Sequence, residues 1–205
     1  MYDSTQTIRD FLSAAAAKQP IPGGGSITAL VGALAASMGE MVLNYSVGKK
    51  NLIQFDDELK KALTEFTRLR AIMVELMLED QQAYQSISAL RKLPEDSAER
   101  KANYPATLLA CITIPHTIAT SGLASLKLCE QLIDKANVYL LSDLAVCADM
   151  SMAAIRCGIY NVRVNLGESS AAEKKAMLDQ CDQLQKQGVA LISKIIPEIW
   201  ARIEK

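Results

Sequence analysis

Residues 20–47 read PIPGGGSITALVGALAASMGEMVLNYSV, and this stretch decides the fold. From Ser26 to Val47 almost every side chain is small or apolar. Ala29, Gly32, Ala33, Ala36 and Gly39 recur at helical spacing, which lets a second backbone approach one face closely. A run of this length raises the question of a membrane span. Glu40 and Asn44 interrupt it, and its richness in Ala and Gly rather than Leu favours a helix buried in protein. Ahead of it lies Pro20-Ile21-Pro22-Gly23-Gly24-Gly25, a loop of unusual backbone, and Ser26 is expected to cap the helix that follows.

Helical periodicity continues outward on both sides. A first helix is expected over Ser4–Lys18, capped by Ser4 or Thr5, with Ile8, Phe11, Leu12 and Ala15 on one face. A long third helix is predicted over about Phe55–Leu93, its stripe running through Leu59, Leu63, Phe66, Leu69, Ile72, Met73, Leu76 and Met77. Leu93-Pro94 breaks it, Ser97 starts a fourth helix to about Lys135, and Pro105 and Pro115 should bend that helix. Asn137 is read as its end. A fifth helix follows over Leu141–Leu166 and a sixth over Ser170–Ile203. No alternating apolar run is long enough to build a sheet. The expectation is an all-α chain, residues 1–205 forming a single bundle of about six long helices.

Composition agrees. Half of the 205 residues are hydrophobic but only 5% are aromatic, so the core is built from Ala, Leu, Ile, Val and Met, a diet suited to close helix packing. With 22 basic against 23 acidic residues, neither nucleic acid nor an anionic membrane is indicated as partner. Five cysteines at wide spacing and a single histidine, His116, make no metal-ligand pattern. Reduced thiols, a polar amino terminus and no leader-like apolar run lead to the expectation of a cytoplasmic protein.

Five groups of residues are candidates for chemistry. Gly23, Gly24, Gly25 and Ser26 precede a helix whose unpaired N–H groups suit a carboxylate or a polar ring edge, unless the loop is only a connector. Lys49 and Lys50 either bind an anion or complement a helix carboxyl end. Asp80 continues the inward stripe of the third helix. Burial there would raise its pKa and make it a proton carrier, whereas surface salt-bridging is the commoner fate of a helical Asp. Asn137, Ser142 and Asp143 stand at a loop-to-helix junction, as ligand contacts or as caps. Asn161 and Asn165, four apart on one face, need partners from backbone or ligand. His116 reads as a satisfied helical residue.

In this order the motifs resemble a known family. Pro22-Gly-Gly-Gly-Ser26, Gly48-Lys-Lys, Asp80-x-x-Ala83-Tyr84, Leu93-Pro94, Asn137, Ser142-Asp143 and Asn161-Val-x-x-Asn165 are similar to the formiminotetrahydrofolate cyclodeaminase domain and to stand-alone methenyltetrahydrofolate cyclohydrolase. The likeness runs from about Thr7 into the last helix. It implies an all-helical, intertwined or two-fold homodimer, with a folate pocket at the glycine loop and Asp80 as the catalytic carboxylate. It also implies that Lys49 and Lys50 face the glutamate tail of a folate, polyglutamylated forms included. Gly23, Gly24, Gly25, Ser26, Asn137, Ser142, Asp143, Asn161 and Asn165 would complete the substrate contacts, with Asn161 or Asp143 near the partner's pocket. Ala136 departs from the pattern, since relatives often carry Gly there. The tetrahydrofolate derivative is expected as substrate, with no metal and no covalently held cofactor. A formiminotransferase, if one acts upstream, is expected to be a separate protein. Cyclodeaminase is the favoured activity, with cyclohydrolase, and a non-catalytic helical interaction protein, as the alternatives.

Overall fold

Glycines set how near the helices come. The computed structural model describes residues 1–2 and 5–204. It contains α1 (Ile8–Ala16), α2 (Gly24–Asn44), α3 (Asp56–Arg91), α4 (Ala98–Leu132), α5 (Leu141–Asn165) and α6 (Ala171–Ile203). Short 3₁₀ turns lie at Lys50–Phe55, Val138–Leu140 and Leu166–Glu168, and no strand occurs among the described residues. The chain is all-α. Helix α2 packs against α3, where Gly32 faces the Met73 side chain and Gly39 the Phe66 ring. Across the bundle, α4 and α5 meet backbone to backbone. A Cβ on Gly122 would come within 2.9 Å of the Ser151 carbonyl, and one on Gly158 within 2.8 Å of the Pro115 carbonyl.

Burial follows these contacts. Leu43, Leu59, Phe66, Leu126, Leu144, Ile155 and Ile195 anchor the larger core. A smaller one gathers Phe11, Ala29, Ala33, Met73, Met77, Ile118 and Ala154 beneath α1. Ser170 and Glu173 form a capping box at the start of α6. Cys129 and Cys147 are fully buried with sulfurs 3.4 Å apart, and all five cysteines are free. By length and apolarity α2, α4 and the segment 138–168 are each capable of crossing a membrane. In the bundle, α2 instead turns its small-residue face to α3 and α5, and its Glu40 pairs with Arg70.

Three expectations need correction. The first helix begins only at Ile8, because the Thr7 hydroxyl accepts the Asp10 amide and caps it there; Thr5 is not the cap, and Ser4 lies outside the described residues. Nine residues leave room for one narrow stripe. That stripe is Phe11 and Ala14, while Ile8 and Leu12 are 74% and 55% exposed. The second concerns α4, which runs as a single helix through Pro105 and Pro115 but stops at Leu132. Asn137 therefore does not end it. Its side chain accepts the Tyr139 amide and caps the 3₁₀ turn before α5. The third is His116, whose Nε2 is buried without a hydrogen-bond partner; burial lowers its pKa, which holds the ring neutral.

Gly158→Ala tests the α4–α5 contact. The Pro115 carbonyl belongs to a rigid helix and cannot yield cheaply, so overpacking should outweigh the better helix propensity. A net loss of about 1–2 kcal/mol is expected in urea denaturation. Gly167→Ala, with nothing within 4 Å of the added methyl, should stay within about 0.5 kcal/mol of the parent.

Candidate active site

Helix α3 carries Asp80 to the amino end of α2. There the first turn of a helix has N–H groups without intrahelical acceptors. The Ser26 hydroxyl donates to Asp80 Oδ2 at 2.7 Å, and the Ser26 amide also hydrogen-bonds to the carboxylate. Gly23 occupies the N-cap position and makes no side-chain bond, so Ser26 is not the cap the sequence suggested. It stands three positions further in. Gly25 has a stricter reason to be glycine: a Cβ there would overlap the Asp80 carboxylate. Gly24 faces the Asn161 side chain, whose Oδ1 would lie 3.1 Å from an added Cβ.

Asp80 is partly buried. Burial pushes its carboxyl above the ordinary range, and the two Ser26 hydrogen bonds draw part of that back. The next residue, Gln81, is wholly buried and satisfied by backbone: its Nε2 donates to the Tyr2 and Met77 carbonyls, and its Oε1 accepts the Tyr2 amide.

The two asparagines have separate tasks. Asn161 Nδ2 donates to the Cys157 carbonyl at 2.8 Å, leaving Oδ1 turned toward Gly24. Asn165 Nδ2 donates to the Cys111 carbonyl at 2.8 Å and to the Asn161 carbonyl at 3.0 Å. The first of these bonds has a cause in sequence. Pro115 has no N–H to give the carbonyl four residues earlier, and Asn165 supplies the donor from α5. Cys111 itself lies between charges; burial raises its thiol pKa most, with Asp80 adding to the rise and Arg91 opposing it.

One end of α2 thus holds Gly23, Gly24, Gly25, Ser26, Asp80, Asn161 and Asn165. Lys49, Lys50 and Asn137 gather at the opposite end, where the Asn137 amide donates to Ser46 Oγ at 2.9 Å and its Nδ2 to the Tyr45 carbonyl at 3.4 Å. Ser142 and Asp143 lie in the first turn of α5, beside that same end. With 21 residues in α2, the two groups are separated by roughly 30 Å within one subunit. Sequence reasoning passed over Cys111 and Arg91, although the proline rule pointed to the carbonyl at 111. Among the described residues no three His, Cys, Asp or Glu side chains form a metal-ligand set.

Fold and site together define a class: helical bundles whose acid–base candidate is one sheltered carboxylate, clamped by the amino end of a glycine-rich helix. The chain belongs to the formiminotransferase-cyclodeaminase family, whose sequence profile matches residues 7–185. It is 28% identical to a methenyltetrahydrofolate cyclohydrolase of Methylorubrum extorquens, over 97% of this chain and 98% of the relative. Identity to the formimidoyltransferase-cyclodeaminase of Gallus gallus is 26%, over 94% of this chain but 37% of that longer protein. The fold matches a formiminotetrahydrofolate cyclodeaminase of Thermotoga maritima with a TM-score of 0.84 at 24% identity, covering 97% and 96% of the two chains.

A raised carboxyl pKa has a consequence for stability. Between the ordinary Asp value and the raised one, the unfolded chain has released the proton that the folded chain retains. Stability therefore falls as pH rises through that window. Asp80→Asn removes the effect, so the variant should melt above the parent at neutral pH. The gap should close below about pH 3.9, where both states are protonated. Thermal melts across pH check this, and a gap independent of pH would contradict it.

Proposed function

We propose that this protein is a formiminotetrahydrofolate cyclodeaminase, in which Asp80 moves the protons as N-10 closes onto the formimino carbon and ammonia leaves. The observation behind this reading is a partly buried carboxylate with a raised pKa, held by the hydroxyl and amide of Ser26 at the amino end of α2. Attack of N-10 forms the new C–N bond and yields a tetrahedral carbon. Asp80 takes the N-10 proton and returns it to the departing amine, which leaves with the electron pair of the breaking C–N bond. A carboxyl whose pKa burial raises toward the working range holds a proton more readily than a free one, which suits both transfers. Asn161 Oδ1 and the first turn of α2 orient the ring edges, and orientation is a large share of any ring-closing advantage. A second reading is methenyltetrahydrofolate cyclohydrolase, favoured by a relative matched along its whole length. Water then attacks the bridge carbon and the same carboxylate accepts its proton.

Asp80→Asn is nearly isosteric and carries no proton, so it should fold and lose about 10²–10⁴-fold in turnover. Methenyl absorbance and ammonia release separate the two reactions. Ammonia formed along with the methenyl product supports the first, methenyl loss alone supports the second, and near-parental turnover in the variant would remove Asp80 from either.

The partner we propose is a second copy of this chain, in the cytoplasm. Helices α2 and α5 run antiparallel, since Gly24 meets Asn161 at one end and Ser46 meets Asn137 at the other. Each shows an apolar line at heptad-like spacing outside the core: Val31, Leu34 and the C-cap Tyr45 along α2, and Val146, Met150, Ala153, Tyr160 and Val164 on α5. Tyr160 is 63% exposed and Val164 76%. Alongside, α5 exposes Asp149 and, seven residues on, Arg156. A two-fold axis crossing α5 sets Asp149 of one copy against Arg156 of the other, twice over. Charges so placed fit a protein partner better than lipid. Arg156→Asp should weaken the dimer about tenfold or more in sedimentation, and adding Asp149→Arg should restore it. A parent protein sedimenting as an active monomer at micromolar concentration would refute the dimer.

A further inference from the structure

Below Asp80 the site continues as a strip between three helices. On α3, Arg91 lies eleven residues past Asp80, about three turns on and so on nearly the same face, some 16 Å along the axis. Tyr84 stands between them, 45% exposed. Helix α4 contributes Cys111 and, two turns earlier, Tyr104. The third wall is the end of α5 and the turn after it, carrying Asn161, Asn165 and Glu168. Each level is tied by a hydrogen bond across the strip. At the top the Ser26 hydroxyl meets Asp80, in the middle Asn165 holds the Cys111 carbonyl, and at the bottom Arg91 joins the walls. Arg91 Nε donates to the Tyr104 hydroxyl at 3.1 Å and Nη2 to Glu168 Oε1 at 3.0 Å. Tyr104 in turn donates to Glu168 Oε2 at 2.6 Å.

These bonds engage two of the three guanidinium nitrogens and fix the plane of the group. We propose that Arg91 is the anchor for the anionic glutamate tail of the folate, with the one-carbon centre at Asp80 and the aromatic ring of the substrate beside Tyr84. This assignment rests on the folate reading above. A folate carries its negative charge at the far end of a rigid benzoyl arm, so the cation that receives it must stand several ångströms from the reacting carbon. Lys49 and Lys50 stand roughly 30 Å away in the same subunit, too far for a single glutamate. A guanidinium pre-oriented by Tyr104 and Glu168 offers a fork suited to a carboxylate, which a lysine does not. Its side chain also leans toward the amino end of α3, hence toward Asp80. Glu168 opposes a second carboxylate, and this limits the gain. Arg100, whose guanidinium lies 5.2 Å from the Tyr104 ring centre, supplies a compensating positive charge.

The test uses whichever one-carbon derivative the parent turns over, prepared on tetrahydrofolate and on tetrahydropteroate, which lacks glutamate. Arg91→Met should raise KM for the tetrahydrofolate form roughly 10- to 100-fold. It should leave kcat, and KM for the tail-less form, within about threefold. Arg91→Lys keeps the charge and the stem, so folding is not at stake. It should show the same substrate-selective rise at smaller size. Equal changes for both substrates, or none, would overturn the assignment, as would a tail-specific loss found in Lys49→Ala/Lys50→Ala instead. A parent that neither binds nor turns over either compound overturns the folate reading and Arg91 with it.

Discussion

The contact between Gly25 and the Asp80 carboxylate governs much of this structure. A carboxylate drawn from one helix into the first turn of another needs space at the backbone and donors to meet it. Gly25 provides the space by having no Cβ, and Ser26 provides the donors through its amide and hydroxyl. Desolvation of a charge is costly unless hydrogen bonds offset it, and here the balance leaves the carboxyl with a raised pKa rather than a fixed charge. The same contact pins the amino end of α2 on α3. Gly32 against Met73 and Gly39 against Phe66 keep the two helices close over the turns that follow.

A second device is the reuse of groups that helices leave unpaired. Asp80 meets an amide at the start of α2, and Asn165 meets the carbonyl that Pro115 cannot serve. Gln81 takes the backbone of Tyr2. In each case a polar side chain enters a mostly aliphatic bundle because a backbone group elsewhere in the chain awaits a partner. Such bonds order the site without building a rigid charged cluster. A strong salt bridge would instead have held Asp80 ionised.

At the other end of α2 the chemistry differs. Asn137 binds Ser46 and Tyr45 and caps its own turn, which amounts to a structural junction between the first and last halves of the bundle. The motif that resembles a ligand contact in sequence is occupied by backbone within this subunit. Lys49 and Lys50 share that junction, far from Asp80 in their own chain but near the exposed apolar faces of α2 and α5.

What the sequence by itself determined is the helical plan. Small residues at helical spacing, breaks at Pro20 and Pro94, and the helix start at Ser97 are local signals, and local backbone physics reads them directly. The motif order was equally legible, and with it the family and the prominence of Asp80. Tertiary structure alone decided which residues come together. Ser26 looked like a cap because its helix start is local information, but its hydroxyl turns to a residue 54 positions away. Lys49 and Asp80 belong to one motif series, yet the length of α2 holds them at opposite ends. Arg91 carried no motif at all, and only packing brings it to Tyr104 and Glu168 on two other elements. Helix periodicity specifies a face; which side chains meet across that face depends on the register between helices, and glycine contacts at Gly25, Gly32, Gly122 and Gly158 set that register in three dimensions.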